Sequence, residues 1–168
     1  MKYYQSTMTQ WVGLPLYRKG EIVEYALVDV ADLPAIFAVS NKWKINSEGY
    51  AFCRKGSEPN RELVLLHRLL MGAPGLQVDH INRNRLDNRR VNLRHATATQ
   101  NLYNRQHKGD KTSGYVGVQR QPGGFIARIG VGGKRLYLGR FRTAEEAAAA
   151  YDEAARKHHG EFACLNFK

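Results

Sequence analysis

The stretch VDHINRNRLDNRRVNLRHATATQN, residues 78–101, holds the side chains best suited to chemistry. Asp79-His80 closes a strand-like run, Asn92 follows twelve residues after His80, and Asn101 lies nine further on. A strand, a loop and a helix folding back on one another let Asp79 and Asn101 present oxygens to one point. Alternation along the strand puts His80 beside that point. Asn104, one turn further along the helix, competes with Asn101 for the second ligand position. Two hard oxygen donors with open positions suit Mg²⁺ or Mn²⁺, ions that keep water and bind phosphate oxygens. An imidazole, with an unperturbed pKa of about 6.5, takes a proton from water at neutral pH. A metal and a base set among Arg side chains are equipment for hydrolysing a phosphodiester.

The charge supports a polyanionic partner. The 168 residues carry 26 Lys and Arg against 15 Asp and Glu, a net charge of +11. The excess is concentrated in the middle: residues 76–111 hold eight basic side chains and three Asp, and residues 113–144 hold six basic side chains and no carboxylate. Such clustering is the electrostatic footprint of a nucleic-acid binder. Arg83, Arg85, Arg89, Arg90 and Arg105 are the phosphate contacts expected around the candidate site. No apolar run approaches the roughly 18 residues of a membrane span, and no signal-type stretch follows Met1. The expectation is a cytoplasmic protein with no membrane partner. Cys53 and Cys164 stand far apart, without metal-type spacing, and read as small buried hydrophobes.

The elements that must position these groups form two small α+β units in series. Residues 1–19 show no period and read as an arm or a lone strand, so residues 1–20 are set apart as an amino-terminal arm. Residues 21–29 read as a strand, with a turn at Asp32-Leu33-Pro34. Residues 43–45 and 50–53 flank the turn signal Asn46-Ser47-Glu48-Gly49 and form a hairpin. A short helix over 67–71 ends at Gly72, and 76–81 is strand-like. Thr97-x-x-Gln100 is a capping box that starts a helix running to about Arg105. Residues 107–112 read as a linker. Strands at 115–119, 124–131 and 135–141, parted by Gln121-Pro122-Gly123 and Gly132-Gly133-Lys134, make an antiparallel meander. Thr143-x-x-Glu146 caps a second helix that ends at Gly160 and buries Ala147, Ala150, Tyr151, Ala154 and Ala155. His158 and His159 read as surface residues, and His95 and His107 as bystanders.

Segment 78–101, with His67 in LLHRLLMG, Leu86-Asp87-Asn88-Arg89 and Asn92-Leu93-Arg94, resembles the HNH nuclease motif. This is the ββα-metal site, in the variant of phage- and intron-encoded homing endonucleases where Asn replaces the final His. The resemblance implies a metal-dependent DNA endonuclease. It assigns Asp79 and Asn101 to one Mg²⁺ or Mn²⁺ per site and His80 to the general base. Asn92 tethers the loop and orients His80, and His67 is either structural or in touch with the phosphate. It places the nuclease core at about 63–106 within a β-rich region, 21–106. Residues 113–168, with Y-x-G-V, L-G-x-F, A-A-x-A-Y-D and L-N-F landmarks, are similar to the DNA-binding domain of plant ethylene-response factors. That likeness implies a three-stranded sheet in the major groove, braced by one helix, with a sequence preference. Gln119, Arg120, Arg128, Arg135, Tyr137 and Arg140 are the expected double-stranded DNA contacts. The alternative is a non-catalytic DNA-binding regulator that keeps a nuclease-like fold. Monomer and homodimer both remain open, since one such site acts on one strand at a time.

Overall fold

The computed structural model describes residues 4–5, 10–72, 75–105 and 109–167; most of the arm's first nine residues, and His107 and Lys108 of the linker, lie outside them. The chain divides into two compact units, Met1–Ala96 and Thr97–Lys168.

The first unit contains strands β1 (Tyr4–Gln5), β2 (Trp11–Arg18) and β3 (Glu21–Asp29), then helix α1 (Leu33–Val39). Strands β4 (Trp43–Ile45), β5 (Ala51–Lys55) and β6 (Glu62–Leu65) follow, then α2 (Leu66–Met71), β7 (Gln77–His80) and β8 (Leu93–Ala96). Strand β2 is antiparallel to β3 along its whole length, while β1 and the parallel β4 pair with its two ends. The sheet continues through β5 to β6. The expected arm is therefore a central strand. Val12 to Leu16 are all buried, so neither period 2 nor 3.6 shows in the sequence. Leu14, Leu16, Val28, Ile36, Trp43 and Leu66 form the centre of this core. The buried Trp43 indole donates to Ser40 O at 2.9 Å, which removes the cost of an unpaired N–H. The turn expected at Asp32-Leu33-Pro34 is the start of α1. Pro34 sits in the first turn, where its missing N–H has no helical partner to lose.

Strands β7 and β8 form a hairpin that pairs Asp79 with Arg94 and His80 with Leu93. Its long loop is sewn to β3: Leu27 N donates to Leu86 O, and Asn88 N donates to Leu27 O. Strand β8 had no separate signal in the sequence, because Leu93-Arg94-His95-Ala96 is too short and too polar to show alternation.

The second unit starts with α3 (Ala98–Asn104), whose Thr97–Gln100 capping box is formed in both directions. The helix expected with the nuclease core thus falls in the second unit. Strands β9 (Val118–Gln121), β10 (Gly124–Val131) and β11 (Lys134–Phe141) make the antiparallel meander, in order β11-β10-β9. Helix α4 (Ala144–His159) packs on it through Ala147, Ala148, Tyr151 and Ala155, against Val118, Ala127 and Ile129. Gly117, at φ +74, permits this packing, since a Cβ there would lie 2.1 Å from the Tyr151 ring. The A-Y-D and L-N-F landmarks prove to be a clasp. Asp152 accepts from Asn166 N at 2.8 Å, Asn166 Nδ2 at 3.1 Å and Phe167 N at 2.8 Å, and Asn166 in turn holds both backbone groups of Val116. His159 is not a surface residue. It sits on the buried stripe two turns after Asp152, stacks on Tyr103 with centroids 3.6 Å apart, and bonds Gly130 O at 2.8 Å. Among the described residues, no helix is long and apolar enough to cross a membrane.

Candidate active site

His80 ends β7 and is 5% exposed. Its imidazole lies edge-on to His67, with centroids 5.2 Å apart, and 6.0 Å from the Tyr50 ring. Tyr50 and His67 are themselves 5.0 Å apart, so three rings, from the β4–β5 turn, α2 and the hairpin, meet. The Arg85 guanidinium lies 4.6 Å from the Tyr50 centroid and bonds Glu48 O. Burial lowers the His80 pKa below its usual value, against upward pulls from the Asn88 hydrogen bond, Asp79 and Asp87. His67 is pushed down to about 3 by burial, with His80 and Arg68 adding repulsion. Its Nδ1 is buried without a hydrogen-bond partner.

Asn92 does tether the loop, since its amide donates to Asp87 O at 2.7 Å and accepts from Asn82 N at 2.9 Å. The amide that faces the imidazole, however, belongs to Asn88, with Oδ1 3.4 Å from His80 Nε2. Asn88 is fully buried and also donates to Arg85 O at 3.3 Å. Both are polar residues in the same Asn-rich loop, and nothing in their spacing distinguishes the tether from the group at the ring.

Asp79 is buried beside Arg94, whose Nε donates to Oδ2 at 2.9 Å while Nη2 lies 2.8 Å from the same oxygen. Arg94 stands directly across the hairpin, a pairing visible only once β8 is known. Asn101 lies half-buried on α3 in the second unit, and Asn104 is buried there.

The loop arginines are not a uniform cationic face. Arg89 donates through Nε and Nη2 to Asp87 at 2.7 Å each, and Arg90 clamps Asp32 at 2.8–3.0 Å. Burial by itself would raise the Asp87 pKa, but the bonds from Arg89 outweigh it and hold the carboxyl below its usual range. Arg83 and Arg85 are exposed, and Arg105 is exposed at the end of α3.

On the meander, cross-strand register sorts the expected contacts. Ile126 faces Gln119 and Arg140, Arg128 faces Tyr137, and Gly130 faces Arg135. These positions alternate with Phe125, Ala127 and Ile129, which pack towards α4. Gln119, Arg128, Arg135, Tyr137 and Arg140 therefore share the face away from the helix, and all are exposed, Tyr137 at 61%. A bulge at Ala127/Arg128 keeps Arg140 and Tyr137 on one face despite their odd spacing. Arg120 is exposed but pairs with Phe125, so it belongs to the other face.

Comparison with known proteins gives two likenesses. Residues 72–103 match the family model for HNH endonuclease. The carboxyl-terminal region is similar to plant transcription factors. Ethylene-responsive transcription factor ERF084 of Arabidopsis thaliana is 48% identical over 60 residues, 34% of this chain and 23% of that protein. Dehydration-responsive element-binding protein 2E of Oryza sativa subsp. japonica is 56% identical over 55 residues, 31% and 17% respectively. AP2-like ethylene-responsive transcription factor ANT of Arabidopsis thaliana is 56% identical over 57 residues, 32% and 10%. The chain spans less than a quarter of each of these relatives. No solved structure matches it. The buried Asp-His strand end and the helix-backed meander thus lie in a chain that joins a segment matching the HNH endonuclease model to an ethylene-response-factor-like region.

Proposed function

We propose that the protein is a metal-dependent endonuclease that hydrolyses DNA phosphodiesters, with the second unit's sheet holding the duplex. One observation carries this reading: inside the HNH-matched segment, a buried imidazole stands next to a buried carboxylate at a strand end. The Asn88 amide oxygen facing Nε2 suits the tautomer with the proton on Nε2, in which Nδ1 would be the atom that accepts a proton from water. Tyr50 and His67 pack around that ring and Asn92 holds the loop, so the ring's attitude is fixed before substrate arrives. His67 stays neutral above about pH 3 and acts as packing rather than as an acid or base.

Asp79 and Asn101 are the residues that would hold one Mg²⁺ or Mn²⁺. The donor chemistry fits, since both offer hard oxygens. Among the described residues no group of three or more His, Cys, Asp or Glu could hold a metal, so the remaining ligands would be water and phosphate oxygens. When bound, the ion would offset negative charge developing on the phosphate and on the departing oxygen. Gln119, Arg128, Arg135, Tyr137 and Arg140 would contact DNA from one face of the meander, with Arg83, Arg85 and Arg105 adding phosphate contacts.

Plasmid nicking tests the assignment. The parent protein nicks in Mg²⁺ and stops in chelator. His80→Ala lowers the rate by about 10²–10⁴-fold with DNA affinity unchanged in a mobility-shift assay. Cleavage by His80→Ala at the parental rate rejects His80 as the base. The Asp79–Arg94 ion pair favours one second reading, a DNA-binding regulator without catalysis. A parent protein that binds duplexes and never nicks them in Mg²⁺ or Mn²⁺ would establish it.

A further inference from the structure

The Arg94 side chain is 11% exposed and that of Asp79 6%. Strand pairing, not a mobile side chain on a loop, holds them opposite each other. As a pair they are electrically neutral. The other carboxylate of the hairpin, Asp87, is likewise held by Arg89 and by Asn82 Nδ2 at 2.8 Å. A divalent ion arriving at Asp79 therefore meets a carboxylate already shared with a fixed positive charge across the hairpin, at low dielectric. A nucleic-acid phosphate carries the further negative charge that offsets this guanidinium.

We propose that Arg94 is a standing counter-cation of Asp79, which keeps the divalent ion weakly bound until a DNA phosphate joins it, so that ion and DNA are taken up together. The inference rests on the endonuclease reading, in which Asp79 is a metal ligand. By linkage the coupling is reciprocal: DNA strengthens ion binding by the factor by which the ion strengthens DNA binding. Arg94 is thus a positioning and charge-setting residue rather than a catalytic one.

Calorimetric titration of the full chain with MnCl₂, without DNA, reads the effect directly. Arg94→Gln binds Mn²⁺ at least tenfold more tightly than the parent, and Arg94→Lys, which keeps the charge, stays within threefold of it. Asp79→Asn removes this binding in the parent and in the Arg94→Gln background. Equal or weaker binding by Arg94→Gln, with Asp79→Asn still abolishing it, overturns the inference and leaves Asp79 as the ligand. Mn²⁺ binding that ignores Asp79→Asn overturns both. Removing the guanidinium takes the ion-pair partner from a buried carboxylate and endangers folding, so a second measurement keeps Arg94 in place. In the His80→Ala protein, whose cutting is slowed as above, a DNA duplex tightens Mn²⁺ binding at least tenfold. Equal affinity with and without the duplex overturns the proposal.

Discussion

Two arginine-rich regions of this chain use the same side chain for opposite ends. In the loop between β7 and β8, Arg89 sits on Asp87 and Arg90 on Asp32, and Arg94 on β8 reaches Asp79. On the meander, Arg128 and Arg135 stand exposed in a stretch that contains no carboxylate, and among the described residues neither makes an ion pair. Asp87 is almost fully buried, so its guanidinium partner is needed for the first unit to fold around it. The meander is held by Ala, Val, Ile and Tyr packing on α4, and Arg128 and Arg135 stand outside that packing. Basic charge is therefore drawn into ion pairs in one unit and left exposed on a sheet face in the other.

The largest expected effect would break that contrast if it failed to occur. Arg89→Ala leaves the Asp87 carboxylate buried without its bidentate partner and lowers unfolding free energy by about 3–5 kcal/mol in urea denaturation. A change under 1 kcal/mol would mean that the loop pair is as dispensable as a surface bridge. Next comes acid sensitivity of the first unit. The folded His67 pKa of about 3 lies below the unfolded value of about 6.5. Between these values the unfolded chain binds the extra proton, so stability is full above about pH 6.5 and falls with decreasing pH by up to about 1.4 kcal/mol per unit. His67→Phe, which keeps a ring in the site, flattens that slope in pH-dependent denaturation; an unchanged slope would place the acid sensitivity elsewhere. The smallest effect on stability belongs to the meander. Arg128→Ala with Arg135→Ala leaves stability within about 0.5 kcal/mol, yet weakens DNA binding and makes log K against log salt shallower by about 2. Loss of stability together with binding would show that these arginines also serve the fold.

Much of the architecture is legible because it is local. The β3 strand, the β4–β5 hairpin, the Gly72 stop after α2, both capping boxes and the meander turns each rest on signals a few residues apart. What escapes is what burial on two sides or distant pairing decides. Strand β2 loses its period because every residue from Val12 to Leu16 is covered. His159 looks like a polar helix end, yet α3 supplies Tyr103 to stack on it. The candidate site divides in the same way. That Asp79 and His80 share a strand end follows from their adjacency, whereas the partners of both depend on how twelve loop residues fold back.

The order of residues alone determined which groups this protein holds for the proposed chemistry: a carboxylate and an imidazole in sequence, amides at set distances, and a basic stretch free of acids. It also determined where helices begin, because a capping box closes within four residues. Only the tertiary structure decided that Asn88 rather than Asn92 faces the imidazole, that Arg94 bonds the Asp79 carboxylate, and that Arg120 leaves the face its neighbours occupy. Those outcomes depend on sheet register and loop path, and a shift of one residue in either exchanges one face, and one partner, for another.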